Sequence, residues 1–169
     1  MYALVFAGGC AGRGSTGAER LPIPAVASQH GGLVGTWRLV EFWDRDSTTG
    51  RLVYRYGEKP TGYFVYDATG HLFIHIMSGP TFFRVDAARG EDWFSKATAE
   101  ELRLAAATFR AYFGTYRLDT IPGVVVHEVE GDSRGLYTGT RQIRRYRLAG
   151  DSLVLGNDTT ARRALVRVR

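Results

Sequence analysis

Apolar and polar residues alternate in short runs along most of this chain, and clusters of glycine, aspartate, serine and threonine separate the runs. Alternation with a period of two is typical of β-strands that bury one face, whereas a helix requires a period of 3.6 residues. Most gaps are too short for a helical crossover, so successive strands are expected to be antiparallel neighbours. The predicted strands are residues 33–43, 51–57, 61–67, 71–78, 114–119, 123–130, 139–149, 151–156 and 163–169.

A small strand-rich domain must protect the edges of its sheet, and closing the sheet into a barrel removes both edges. The chain has 169 residues, which is enough for one domain to bury a core without disulfides. The sequence therefore predicts an all-β protein, an antiparallel up-and-down β-barrel of about 8–10 strands over residues 33–169. A barrel of that size can hold one small ligand in its interior.

One α-helix is predicted near residues 98–113, inserted between two strands. Thr98 and Glu101 have the spacing of a capping box at a helix N-terminus. Apolar residues then follow at helical spacing, namely Leu102, Ala105, Ala106, Phe109, Tyr112 and Phe113. The segment before the helix carries four aromatic residues, which are Phe82, Phe83, Trp93 and Phe94. The loop and the helix are expected either to close the mouth of the barrel or simply to plug one end.

Turn lengths predict which side chains point into the barrel, because a shift of one residue turns every side chain of a strand over. In the hairpin that turns near Gly70, the expected inward pairs are Val65 with Leu72 and Tyr63 with Ile74. The side chains left on the outer face are Phe64, Tyr66, Phe73 and His75.

The two later hairpins have expected inward pairs as well. These pairs are Leu118 with Val125, Tyr116 with His127, Leu148 with Leu153, and Tyr146 with Leu155. Arg144 and Gln142 follow on the same inward face, whereas Arg145 and Arg147 are expected to point to solvent.

The predicted interior holds an unusual share of polar groups among apolar walls. A buried polar group costs on the order of 1–3 kcal/mol unless it is paired, and a buried arginine needs a partner. These groups therefore either brace a narrow barrel or bind a small, largely hydrophobic molecule with a polar or acidic group. The candidate ligand-binding residues are Tyr63, Val65, Ile74, Tyr116, Leu118, His127, Arg144 and Tyr146.

Catalysis in the same cavity is the alternative. A cyclase or isomerase acting on a polyketide-like or terpenoid substrate would use His127 as acid or base and Arg144 to stabilise an enolate. A hydrolase is not indicated, because Ser133 lacks the Gly-x-Ser-x-Gly elbow. His71 and His75 are expected to face away from His127, so neither a metal site nor a cofactor is predicted.

The net charge of +5 does not by itself indicate nucleic-acid binding. Nearly all the positive charge is arginine spread along the chain, and no nucleic-acid-binding motif accompanies it, so no nucleic-acid partner is expected. No run of about 18 apolar residues predicts a transmembrane segment. The oligomeric state is left open.

The first residues are similar to the end of a bacterial lipoprotein signal, in which small residues precede a lipidated cysteine, here Cys10. The apolar stretch is too short for a complete export signal, so residues 1–32 are expected to be a disordered leader and linker. The default location is cytoplasmic. In the alternative, a cell-envelope lipoprotein, the aromatic face around Phe64, Tyr66 and Phe73 would contact other proteins.

The ordered set of motifs over residues 33–157 resembles the bacterial lipocalin-like domain family, a member of the calycin group of barrels. The matching segments are residues 33–39, 60–63 with Tyr66, 112–116, 126–127 with 130–131, and 142–146 with 150–151. The resemblance implies a barrel that binds small, largely apolar molecules, and it assigns no catalytic residues. It also implies that Trp37 seals the base of the barrel against Arg167 or Arg169 through a cation–π contact.

Overall fold

A computed structural model describes residues 32–79 and 85–169 of the protein. The expectations for residues 1–31, including Cys10, and for Phe82 and Phe83 lie outside the described residues. The described ranges contain nine strands: β1 Gly35–Arg45, β2 Leu52–Val53, β3 Thr61–Tyr66, β4 His71–Met77, β5 Phe109–Leu118, β6 Val124–Asp132, β7 Arg141–Ala149, β8 Ser152–Gly156 and β9 Ala161–Arg167. One α-helix, α1, spans Ala99–Thr108, and 3₁₀ turns span Ala87–Arg89 and Glu91–Lys96.

Eight of the strands form a closed antiparallel barrel. Each strand from β3 to β9 pairs with the next along the chain, and β1 pairs with both β3 and β9, which closes the ring. Among the described strands, the short strand β2 pairs with the end of β1 alone. The predicted all-β, up-and-down barrel is therefore confirmed.

The strand predicted at residues 51–57 is reduced to the two residues of β2. Gly57 has a φ of 76°, so the backbone turns where an extended strand would have continued. Tyr56 instead packs its ring edge-on against Phe42, with ring centroids 4.9 Å apart. The Tyr56 side chain is thus part of the barrel core although its backbone lies outside the sheet.

The predicted helix ends earlier than expected, because its second half is part of β5. The capping box is confirmed, since the Thr98 hydroxyl accepts the Glu101 amide hydrogen and the Glu101 carboxylate accepts that of Thr98. From Phe109 onward the chain pairs with β4, starting with Phe109 opposite Met77. Cross-strand pairing overrides the helical spacing of apolar residues in this segment.

Replacing Thr98 by alanine is expected to reduce the local stability of α1 by about 1 kcal/mol, because the capping hydroxyl is lost. No side chain of α1 is buried, so the effect should appear as fraying rather than global unfolding. Amide hydrogen exchange at Glu101 and Leu102 would measure it. Thr108→Ala is the control, because the Thr108 hydroxyl donates to the Leu104 carbonyl at the other end of the helix; equal protection in both variants would contradict the capping role.

The register of the β3–β4 hairpin differs by one residue from the prediction. The pairs are Tyr66 with Leu72 and Phe64 with Ile74, because the turn has three residues and ends on Gly70 at a φ of 91°. The Asp67 amide donates to the His71 carbonyl and closes this turn. The inward face of β3 is therefore Phe64 and Tyr66, and the prediction that these two point outward is wrong.

The two later registers are confirmed. Tyr116 lies opposite His127 and Leu118 opposite Val125, and Tyr146 lies opposite Leu155. The four-residue and two-residue turns that the sequence indicates set these registers, so the inward orientation of His127 follows directly from the sequence.

The base of the barrel is sealed around Trp37, which is fully buried. Its indole N–H donates to the Leu33 carbonyl at 2.8 Å, and the Arg167 guanidinium stacks on its ring at 4.0 Å. Arg167 also donates to the Val34 and Gly32 carbonyls. Gly35 has a φ of 145°, which side chains disfavour, and a Cβ there would also lie 2.4 Å from the Arg167 guanidinium, so this position two residues before Trp37 favours glycine. The partner of Trp37 is thus Arg167, while Arg169 pairs with Asp151.

Among the described residues, no helix has the length and apolar character that crossing a membrane requires.

Candidate functional site

The lower half of the barrel interior is packed solid, and the open space lies above it, towards the end where β4 stops and β5 begins. Trp37, Leu39, Tyr66 and Leu72 fill the lower half and are at most 1% exposed. Above them is a cavity of about 60 Å³. Its lining residues are Phe42, Phe64, Ile76, Arg110, Tyr112, His127, Tyr137, Arg144, Leu155 and Arg163.

His127 is held between two tyrosines at the floor of this cavity. The Tyr66 hydroxyl lies 3.0 Å from Nε2 and the Tyr112 hydroxyl 3.1 Å from Nδ1. The imidazole is fully buried in β6, and the two phenols reach it from the inward faces of β3 and β5. Both ring nitrogens therefore have hydrogen-bond partners inside the barrel.

The direction of these hydrogen bonds follows from the surroundings of Tyr66. Its buried hydroxyl contacts no other acceptor among the described residues, so its proton must go to Nε2 of His127. The neutral imidazole then carries its hydrogen on Nδ1 and donates it to the Tyr112 oxygen. This leaves the O–H of Tyr112 to donate elsewhere, and Tyr112 lines the cavity.

Burial keeps Tyr66, His127 and Tyr112 neutral. Desolvation, assisted by the charge of Arg144, lowers the pKa of His127 from 6.5 to about 3. Desolvation likewise raises the pKa of Tyr66 and of Tyr112, and Arg144 counteracts part of the rise at Tyr112. At neutral pH these three hydrogen-bonded side chains present a neutral hydrogen-bond donor to the cavity and not a charged acid or base.

Three arginines surround the same cavity, and they differ in their partners. Arg163 pairs with Asp44 at 2.6 Å, and Arg110 pairs with the buried carboxylate of Asp132 at 3.0 Å. Arg144 donates to the Gln142 side-chain oxygen at 3.0 Å, and no carboxylate of the described residues lies within ion-pairing distance of it. The cavity therefore carries one positive charge without a matching negative one.

A second cavity, of about 210 Å³, adjoins the first at a gap in the barrel wall. Strand β7 pairs with β8 only from Tyr146 onward, so none of the described strands pairs with residues 141–145 on that side. Arg144, Leu155 and Arg163 line both cavities and form their junction. The remaining lining of the outer cavity is Ile143, Arg145, Gly156, Asn157, Thr160 and Ala161.

Of the eight predicted ligand-binding residues, His127 and Arg144 line the inner cavity. Tyr63 and Val65 lie on the outer face of β3, and their predicted inward orientation is wrong because of the one-residue shift in the β3–β4 register. Tyr116 points inward, but its hydroxyl donates to the Asp67 carbonyl at the base.

The other three predicted residues belong to the packed interior. Ile74 is fully buried, and Leu118 and Tyr146 pack partly buried against the core cluster. They are not among the residues that line the cavity.

The prediction missed most of the residues that line the cavity. Arg110 and Tyr112 lie in the segment assigned to the helix, and Phe64 was turned outward by the register. The alternation of Arg110, Tyr112 and Gly114 with apolar Phe109, Ala111 and Phe113 was the available signal for a strand. Tyr137 reaches the cavity from a loop, where alternation carries no information.

The aromatic outer face predicted for a lipoprotein is only partly present. Phe64 and Tyr66 are buried inside the barrel, which corrects their assignment as contact residues, while Phe73 is exposed. The contact hypothesis thus loses two of the three residues on which it was based.

The histidines on β4 lie apart from His127. The His71 ring accepts or donates a hydrogen bond at the Thr69 hydroxyl in the turn before β4, and His75 is exposed on the outer face. Within residues 32–79 and 85–169, no three metal-ligating side chains come close enough together to hold a metal ion.

A closed eight-stranded antiparallel barrel, sealed at its base by a Gly-x-Trp tryptophan under an arginine, is the architecture of the calycin group. The chain belongs to the lipocalin-like domain family, whose sequence profile matches residues 34–165. Among curated proteins, none shows significant similarity to the chain. A solved structure of an uncharacterized protein from Bacteroides eggerthii DSM 20697 is similar, with a TM-score of 0.44 and 10% identity, over 80% of this chain and 98% of that chain.

Proposed function

We propose that this protein is a non-enzymatic binding protein for a small, largely apolar molecule that carries a hydrogen-bonding polar group. The observation that carries the proposal is the hydrogen-bonded Tyr66–His127–Tyr112 series, which ends in a donor at a cavity lined by both apolar side chains and arginines. A donor fixed in an apolar recess orients a ligand, and the walls remove the ligand's apolar surface from water.

The lining divides this work between two kinds of residue. Phe42, Phe64, Ile76 and Leu155 supply the apolar contact surface, worth about 25 cal/mol for each Å² that a ligand buries. The Tyr112 hydroxyl supplies direction, because its orientation is fixed by the hydrogen bond from His127. A ligand oxygen within reach of Tyr112 would complete the polar chain.

Catalysis has less support. An acid–base catalyst should have a pKa near the working pH, whereas the pKa of His127 is about 3 and both of its nitrogens are occupied by tyrosines. The inner cavity of about 60 Å³ is also much smaller than the roughly 300–1,000 Å³ that ligand pockets usually offer. A polyketide-like or terpenoid substrate would not fit beside His127.

Titration of the labelled protein with phenol and with benzyl alcohol, followed by amide chemical shifts, tests the proposal. We expect shifts concentrated at Tyr112, His127 and Leu155. Tyr112→Phe should weaken binding about five- to tenfold, since one hydrogen bond is worth about 1 kcal/mol.

Tyr54→Phe is the matched control, because Tyr54 is exposed and lies outside the cavity. It should bind both compounds like the unchanged protein. A folded protein that bound neither compound would contradict the proposed function. Equal affinity in the Tyr112→Phe variant would contradict the role given to the hydroxyl.

A further inference from the structure

The charges around the inner cavity do not balance. Arg110 and Arg163 each have a carboxylate partner, while the partners of Arg144 among the described residues are neutral, namely the side-chain oxygen of Gln142 at 3.0 Å and the hydroxyl of Tyr112. Arg144 is also half-buried on the inward face of β7, where water screens its charge poorly. Asp44 also pairs with Arg55, whose side chain is exposed and lies outside the cavity. Among the residues that line the cavity, the excess is therefore the single positive charge of Arg144, which one monoanion would neutralise.

A second observation at the same cavity points the same way. The Nε–H of Arg110 is buried and has no hydrogen-bond acceptor among the described residues. The Arg110 guanidinium is fixed by Asp132 on one side and by the Tyr137 ring, 3.9 Å away, on the other. A buried donor without an acceptor is costly, about 1–3 kcal/mol, and Arg110 lines the cavity, so a ligand atom that reached this N–H would supply the acceptor that the described residues do not.

We infer that the ligand is an organic monocarboxylate. This inference rests on the proposed function and specifies its ligand class. The carboxylate accepts hydrogen bonds from Arg144, from Arg110 Nε and from the Tyr112 hydroxyl, three donors that line one cavity. A phosphate or sulfate dianion fits less well, because only one positive charge is uncompensated and the cavity measures about 60 Å³.

The body of the ligand passes through the gap in the wall. The inner cavity of about 60 Å³ holds the polar head and only a small part of the apolar body, and it joins the outer cavity of about 210 Å³ at Leu155. The gap exists because β8 ends at Gly156, while the part of β7 before Tyr146 has no partner on that side among the described strands. Ala161, the first residue of β9, lies at this exit, and its small side chain leaves it open.

Calorimetric titration with octanoate and with octanamide, its neutral analogue, tests the charge. Octanoate should bind at least tenfold more tightly than octanamide at pH 7, and the preference should shrink as salt is added. Arg144→Gln should abolish the preference. Arg141→Gln is the control, because Arg141 lies on the same strand, is exposed and lines neither cavity, and it should keep the preference.

The outcomes separate the two proposals. If both compounds bind equally well and Arg144→Gln changes nothing, the carboxylate inference is overturned while the binding function stands. If neither these compounds nor the single-ring alcohols bind a folded protein, both fail. A melting curve of each variant identifies misfolding, and Arg144→Lys, which keeps the charge, should then retain part of the preference.

Blocking the exit tests the path of the ligand body. Ala161→Phe should weaken octanoate binding at least tenfold and leave butyrate binding, measured by chemical shifts, nearly unchanged. Ala164→Phe, on the same strand but on the other face, is the control and should affect neither acid. Equal loss of both acids, or no loss of octanoate binding, would overturn the route through the wall.

Discussion

Replacing Trp37 by alanine is expected to lower the free energy of unfolding by about 4 kcal/mol. The side chain is fully buried at the base of the barrel, and removal of a buried tryptophan typically costs 3–5 kcal/mol through lost contacts and the cavity left behind. The variant also loses the hydrogen bond to the Leu33 carbonyl and the surface on which Arg167 stacks. A domain of this size has a total stability of about 5–15 kcal/mol, so much of the variant should be unfolded in mild urea.

Urea denaturation followed by circular dichroism measures the effect. Phe94→Ala is the control, because Phe94 is 62% exposed and should change the stability by less than about 0.5 kcal/mol. Trp37→Phe should fall between the two, since it keeps part of the ring and loses the N–H donor. A midpoint for Trp37→Ala within error of the Phe94→Ala midpoint would show that Trp37 does not hold the base together.

Most of the fold could be predicted from the pattern of strands and turns in the sequence. Strand order, closure and the registers of the two later hairpins follow from alternation and from turns of unambiguous length, such as Gly150-Asp151. The β3–β4 register did not follow, because Asp67–Gly70 is compatible with more than one turn length. The hydrogen bond from the Asp67 amide to the His71 carbonyl fixes the turn at three residues, and this bond can be seen only in the structure.

The start of β5 shows a different limit. Phe109, Tyr112 and Phe113 have helical spacing after a genuine helix N-terminus, and local pattern alone extends the helix through them. The competing force is pairing with β4, a contact between residues more than 30 positions apart, such as Phe109 with Met77. Pairing between such distant residues cannot be predicted from local sequence. For this reason the predicted site did not include Arg110 and Tyr112.

The candidate site was predictable in kind more than in detail. An inward His127 near an inward Arg144 follows from turn length and alternation, and the structure places both at one cavity. That His127 is bracketed by Tyr66 and Tyr112 depends on β3, whose inward face was misassigned, and on the first residues of β5, which were assigned to the helix. The excess charge at Arg144 arises because Asp132 and Asp44 pair with the other two arginines, and the positions of these carboxylates cannot be predicted from residue spacing in the sequence.

Acidification is expected to destabilise the protein through His127, by about 3 kcal/mol between pH 6.5 and pH 4. The imidazole has a pKa of about 3 in the folded barrel and 6.5 as its ordinary value. Between these values the unfolded chain binds a proton that the folded chain refuses, so stability falls as the pH falls, by up to 1.36 kcal/mol per pH unit. The contribution is complete above pH 6.5 and is lost progressively towards pH 3.

His127→Gln isolates this effect from the titration of carboxylates, which both proteins share. Glutamine keeps a donor and an acceptor for the two tyrosines but does not titrate, so the difference in unfolding free energy between the two proteins should narrow steadily from pH 7 to pH 4. Urea midpoints at half-unit pH intervals measure it. The low pKa of His127 has a geometric cause. A proton on His127 would give both ring nitrogens a hydrogen to donate, so the Tyr66 hydroxyl would lose its acceptor. It would also place a second positive charge beside Arg144. Two curves that run parallel over this range would mean that the imidazole is protonated in the folded barrel, and the neutral hydrogen-bond chain that presents Tyr112 to the cavity would have to be abandoned.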